Sequence, residues 1–162
     1  MLTVLATGAT GLVGSRFVEM YADEYQVANM DLTTGVDITN KESIEKFVKE
    51  NSADTMIHLA AFTDTNRAHA ESGDKSGLCY QVNVEGTRNI AEVCKAHGIH
   101  LIHVSTDFVF DGKKDSPYTE DDAPTPIEWY GETKAIAEEV VEESGASYTI
   151  ARISYPYRKE FE

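Results

Sequence analysis

Leu2-Thr3-Val4-Leu5-Ala6-Thr7-Gly8-Ala9-Thr10-Gly11-Leu12-Val13-Gly14 decides the architecture. Leu2 to Thr7 is a short apolar, partly β-branched run of the kind that forms a strand buried on both faces. Three glycines follow at i, i+3 and i+6, and from Leu12 to Glu24 the chain reads as a helix. In such a strand-turn-helix unit the first glycine permits a tight turn and the second lets a pyrophosphate approach the backbone. The third permits close helix-strand packing. Phosphates would sit at a helix N-terminus, where open N–H groups and the helix dipole favour negative charge. An ordinary strand-helix junction can carry the same spacing, so the rest of the chain has to support the assignment.

Strand and helix signals alternate through the chain, which predicts one α/β domain over residues 1–162, a Rossmann-type doubly wound parallel sheet. Gln26 to Met30 reads as a second strand ending at Asp31. Thr39-Asn40-Lys41-Glu42 reads as a capping box, followed by a helical face of Ile44, Phe47 and Val48. Thr55 to Ala60 is a third strand, Lys75 to His97 a long helix stopped by Gly98, and Leu101 to Ser105 a fourth strand. Periodicity fails between Thr106 and Pro126, which predicts a long loop, functional or mobile. Ile127 to Ser144 reads as a helix, with Glu138, Glu139, Glu142 and Glu143 as a solvated face, and Tyr148 to Ile153 as a last strand.

With 14 Lys and Arg against 28 Asp and Glu, the net charge of -14 argues against nucleic acid or an anionic membrane surface as partner. At 41% hydrophobic and 26% charged, the composition is that of a soluble globular protein. No signal peptide or membrane span is legible, so the cytoplasm is the expected compartment. Cys79 and Cys94 read as reduced, buried thiols. His100 and His103 on a strand face opposite sides, and His58 reads as a core residue, so no metal site is expected.

Asp31, near the expected offset after the glycine turn, would accept from both ribose hydroxyls of a dinucleotide and repel a 2′-phosphate. That favours NAD over NADP mildly, since Arg16 could reverse it. Asp37 and Ile38 could meet the adenine, although Asp37 serves equally well as a turn residue. A second constellation is Tyr130-Gly131-Glu132-Thr133-Lys134, where i and i+4 place a phenol and an ammonium on one helix face. With eight tyrosines in the chain, a chance match of this kind decides nothing; its position after a strand ending in Ser105-Thr106 does. An adjacent ammonium is expected to lower the phenol pKa and ease proton transfer to a carbonyl, with Thr106 donating to the same oxygen.

These residues resemble the extended short-chain dehydrogenase/reductase superfamily in the glycine motif, His58-Leu59-Ala60-Ala61, Asn83-Val84-Glu85-Gly86-Thr87 and the Tyr130/Lys134 pair. Ser105-Thr106-Asp107-Phe108-Val109-Phe110-Asp111-Gly112 and Pro117-Tyr118-Thr119-Glu120 resemble the dTDP-4-dehydrorhamnose reductase family in particular. The resemblance implies an NAD(P)H-dependent reductase of a 4-keto nucleotide-sugar, with Thr106, Tyr130 and Lys134 catalytic. It implies cofactor contacts at Gly8, Thr10, Gly11, Leu12, Val13, Leu59, Ala60, Ala61, Ser105, Lys134 and Pro156. Asn83, also on the cofactor side, would steady the active-site strand, and Asp107 and Tyr155 would meet substrate.

Family members commonly carry glycine where this chain has Arg158, and they continue into a substrate lobe that these 162 residues lack. The chain is therefore expected to be a fragment holding the cofactor lobe, inactive in isolation, from an enzyme that is a possible homodimer. Two alternatives remain. One is a nucleotide-sugar epimerase or dehydratase, although Asp107-Phe108 lacks the acidic pair usual in dehydratases. The other is a non-catalytic cofactor-binding subunit resembling the regulatory subunit of methionine adenosyltransferase.

Overall fold

The computed structural model describes residues 1–157; Arg158 to Glu162, and the departure noted at Arg158, lie outside the described residues. Five parallel strands, β1 (Leu2–Thr7), β2 (Tyr25–Met30), β3 (Thr55–His58), β4 (His100–Thr106) and β5 (Tyr148–Ile153), pair in the order β2-β1-β3-β4-β5. The helices are α1 (Leu12–Met20), α2 (Lys41–Glu50), α3 (Thr65–Ala70), the short α4 (Leu78–Tyr80), α5 (Thr87–His97) and α6 (Trp129–Glu143). Chain order reverses on either side of β1, so the carboxyl ends of β1 and β3 flank the crevice where open α/β sheets bind ligands.

Strand alternation builds the core. Leu5, Met56 and Leu101 point to one face and pack with Ile44 and Val48 of α2, Ile90 and Val93 of α5 and Val141 of α6. Each such side chain contributes about 1.5–3 kcal/mol on burial. Right-handed crossovers set α1 on the opposite face, where Val4 and Ala6 are buried while Ile57 and Ile102 stay half-buried. Helices thus occupy both faces, as the doubly wound assignment requires.

Several boundaries shift for identifiable reasons. The first helix stops at Met20, because the rings of Phe17, Tyr21 and Tyr25 gather within 5.2–6.3 Å and turn the chain back into β2. β3 ends at His58, since the next two N–H groups, of Leu59 and Ala60, donate to the Thr7 hydroxyl at 3.1 Å. The cap of α2 is Asn40, not Thr39: Asn40 accepts from Glu42 and Ser43, while Thr39 donates to Asp37. The long helix expected from Lys75 begins at Leu78 and contains a π-type turn, Gln81–Gly86. α3, capped by Asp64, forms where the sequence pattern predicts no helix, and the loop after β4 opens with a 3-10 turn over Asp107–Val109. α6 starts at Trp129 because the Glu128 carboxylate caps it.

Candidate functional site

The glycine turn is built for close approach. Gly8 has φ +66, and a Cβ there would lie 2.8 Å from the Ala60 nitrogen; a Cβ on Gly14 would lie 2.3 Å from the Gly8 carbonyl. The third glycine therefore fits α1 against the turn itself. α2, α3 and α6 are each capped by a side chain, whereas α1 begins at Gly11 with no side-chain cap. Its first-turn N–H groups stay open where an anion can take them. At the end of β2, the Asp31 carboxylate accepts from Asn29 at 2.7 Å, from the Thr33 amide and hydroxyl, and from Thr10 at 3.2 Å. Burial works against its ionisation, but these hydrogen bonds outweigh it and hold the carboxyl below its ordinary pKa. Arg16 pairs with Glu19 on the outer side of α1 and does not line the cavity.

Behind this turn runs a buried polar chain whose proton positions follow from its partners. The Thr7 hydroxyl accepts from two backbone amides, so its one proton goes to His58 Nδ1 at 2.7 Å. His58 Nε2 then carries the ring proton and donates to Thr87 Oγ1 at 3.0 Å, which donates to the Asn83 carbonyl at 2.7 Å. Burial pushes the His58 pKa down to about 3, helped by Lys134, so the ring is neutral. The Asn83 side chain bonds the Phe62 amide at 2.7 Å and Thr133 at 3.0 Å. It steadies the segment after β3 against α6, not the strand β4 as expected, and it does not line the cavity.

Gly131 determines how α6 meets β4. A Cβ there would stand 2.3 Å from the Phe108 carbonyl, so only glycine lets the first turn of α6 press on the turn after Thr106. The Thr106 hydroxyl accepts from the Phe108 amide at 3.2 Å and donates to Asp107, whose other carboxylate oxygen accepts from Ser154 at 2.6 Å. Burial pushes the Tyr130 phenol above its ordinary pKa, and hydrogen bonding with Thr106 only partly offsets that. This corrects the expected lowering by the lysine. The Lys134 ammonium, 2% exposed, donates instead to the Val104 carbonyl at 2.9 Å and lies 3.4 Å from His103 Nε2. Desolvation pulls it down to about 8, with Glu138 opposing. Glu138 itself is buried, not part of a solvated face.

One cavity of about 930 Å³ brings nearly all of these groups together. It takes Gly8, Thr10, Gly11, Leu12 and Val13 from the β1–α1 turn, and Asp31, Asp37 and Ile38 from the segment after β2. Asp37 is also the turn residue of the second assignment, accepting from Thr39 at 2.9 Å. Leu59, Ala60 and Ala61 follow β3; Ser105, Thr106 and Asp107 end β4; Tyr130 and Lys134 come from α6, Tyr155 and Pro156 from beyond β5. Tyr155 sits at φ 35, a left-handed conformation that side chains other than glycine rarely adopt. Thr33, Phe62 and Phe108 also line the cavity and were not singled out in the sequence, where no spacing marks them. Among the described residues no His, Cys, Asp and Glu group is placed to hold a metal, and no helix is long and apolar enough to cross a membrane.

Two dTDP-sugar reductases illustrate the similarity in sequence. The dTDP-4-dehydrorhamnose reductase of Aggregatibacter actinomycetemcomitans is 33% identical over 97% of this chain and 52% of its own length. A dTDP-4-keto-6-deoxy-D-glucose reductase of Streptomyces niveus is 35% identical over 85% of the chain and 46% of its own. Among solved structures, the dTDP-4-dehydrorhamnose reductase of Bacillus anthracis in complex with NADP superposes with TM-score 0.89 at 34% identity, covering 100% of this chain and 57% of that one. A Thermus thermophilus UDP-glucose 4-epimerase, at 24% identity and TM-score 0.81, shares the fold. The chain spans about half the length of the relatives it matches. The family described as RmlD substrate binding domain matches residues 2–161, and the chain belongs to that family.

Proposed function

We propose that this chain is the cofactor-holding lobe of an NAD(P)H-dependent reductase that converts a 4-keto nucleotide-sugar to the alcohol. The observation that carries the proposal is one cavity with an uncapped glycine-turn helix and Asp31 in its wall, together with Thr106, Tyr130 and Lys134. A dinucleotide fits that cavity on its own terms. The open amides of α1 suit a pyrophosphate, the ionised Asp31 suits ribose hydroxyls, and Ser105 Oγ is buried without a hydrogen-bond partner among the described residues. Bound there, the nicotinamide would supply the hydride.

The chain's own residues handle the proton. Burial keeps the Tyr130 phenol protonated at neutral pH, so the acid is loaded when a carbonyl arrives. Thr106 lies beside it with its one hydroxyl proton on Asp107, so to donate to the same oxygen it turns that proton from the carboxylate to the substrate. The Lys134 ammonium, one helical turn on, is turned to the Val104 carbonyl and away from the phenol, and it would hold the nicotinamide ribose of the bound cofactor. Tyr155, 82% exposed at the cavity mouth, is the proposed aromatic substrate contact.

The test is NAD(P)H oxidation with a dTDP-4-keto-6-deoxy sugar by a protein spanning the full length of the relatives. Tyr130→Phe should reduce kcat at least about hundredfold, the usual span of general acid catalysis. Unchanged turnover in that variant would sink the mechanism, and a cofactor that never leaves during turnover would favour an epimerase. We place the protein in the cytoplasm, which suits its two free buried cysteines. A homodimer, proposed on the resemblance, is checked by light scattering.

A further inference from the structure

Of the four glutamates that end α6, Glu139, Glu142 and Glu143 are exposed and Glu138 is 2% exposed. A carboxylate buried to that degree needs compensation. Arg152 of β5 provides it, with Nε 3.0 and 3.2 Å from the two carboxylate oxygens and Nη2 at 2.7 Å. The Arg152 guanidinium in turn lies 5.0 Å from the ring centroid of Phe110, which stacks on Tyr118 at 4.1 Å. The segment after β4 therefore also holds the arginine.

One helical turn before Glu138 stands Lys134, equally buried, whose hydrogen-bond partners are the neutral Val104 carbonyl and His103 ring. Two cations, the buried Lys134 and the half-buried Arg152, thus stand by one buried carboxylate. Residues at i and i+4 lie on one face of a helix, so Lys134 and Glu138 share that face while Arg152 reaches the same carboxylate from the sheet.

We propose that Glu138 is a positioning residue for the site: its carboxylate, bound by Arg152 and standing one helical turn from Lys134 on the same buried face, is the counter-charge that keeps Lys134 an ammonium. This rests on the assignment of Lys134 to the cofactor site beside Tyr130. The charges around the lysine support it. His103 of β4 and His58 of β3 are neutral, both pushed down by burial, and Tyr130 of α6 is protonated. Against the desolvation of Lys134, the opposing charge is Glu138. Arg152 feels Glu142 and Glu120 besides Glu138, so its guanidinium stays charged throughout.

The experiment is an NMR titration of the side-chain signal of Lys134 in the ¹³C-lysine-labelled 162-residue chain, with the signal assigned from a Lys134→Arg sample. Glu138→Gln should lower the midpoint by about one pH unit or more, a tenfold loss of proton affinity. Arg152→Gln should raise it, because the carboxylate is then no longer neutralised by the guanidinium. Glu138→Asp, which keeps the charge, should restore the parent midpoint. If the Gln variant does not fold, the Asp and Arg152 variants carry the test. A midpoint unmoved by Glu138→Gln or by Arg152→Gln, or moved in the same direction by both, overturns the proposal. The titration needs no substrate, so a full-length protein without reductase activity would count against the functional assignment alone.

Discussion

Replacing Lys134 by Met should stabilise the folded chain at neutral pH while removing the buried cation of the site. Lys134 is 2% exposed, and desolvation brings its pKa from 10.5 to about 8. A tenfold change in proton affinity corresponds to about 1.4 kcal/mol, so carrying the ammonium in the interior costs the native state about 3 kcal/mol. Against that, the variant loses a hydrogen bond to the Val104 carbonyl, worth about 1 kcal/mol. The remaining interior charges, Glu138 and Arg152, form a complete pair. The net expectation is a gain of about 2 kcal/mol at pH 7, or roughly 4–8 °C in Tm for a domain of this size.

The sign of the pH dependence tests the cause. Between about 8 and 10.5 the unfolded lysine binds more protons than the folded one, so the parent gains stability as pH rises through that window. The variant's advantage should therefore be full below pH 8, vanish near about pH 9.5, and turn into a deficit of about 1 kcal/mol, the lost hydrogen bond, above 10.5. Urea denaturation of both proteins from pH 7 to 10 measures it, with parallel m-values showing that the denatured states are comparable. A variant less stable than the parent at pH 7, or an advantage that persists at pH 10, would refute the reasoning.

Other consequences are equally measurable. His58, with its pKa pushed down to about 3 against an unfolded value of 6.5, contributes stability that is present above pH 6.5 and lost as pH falls toward 3. His58→Gln can keep both hydrogen bonds without titrating, so between pH 7 and 5 it should lose about 2 kcal/mol less than the parent in urea melts; equal losses contradict the neutral-histidine chain. Gly14→Ala forces a Cβ to within 2.3 Å of a backbone oxygen and should destabilise by about 1–3 kcal/mol; an unchanged urea midpoint would show that α1 can move. Asp31→Ser removes the carboxylate facing the ribose, and in the full-length enzyme it should shift the kcat/KM ratio toward NADPH over NADH by about tenfold or more. A ratio that stays put would mean that Asp31 does not meet the ribose.

The sequence by itself determined the alternation of strands and helices, the glycine turn, and the shared location of Thr106, Tyr130 and Lys134. Those features are local: a two-residue or four-residue period and a glycine spacing are properties of adjacent positions, and they survive whatever packs around them. Tertiary structure decided what each side chain faces. Glu138 looks like its neighbours Glu139 and Glu142 until Arg152, from a strand 14 residues further on, meets it. Lys134 looks like the partner of Tyr130 until burial sets it against Val104 and His103. Asn83 acts on Phe62, 21 positions away, and Thr7 on His58, 51 away. Desolvation and long-range hydrogen bonds depend on where the chain folds back, and one-dimensional spacing carries no record of that.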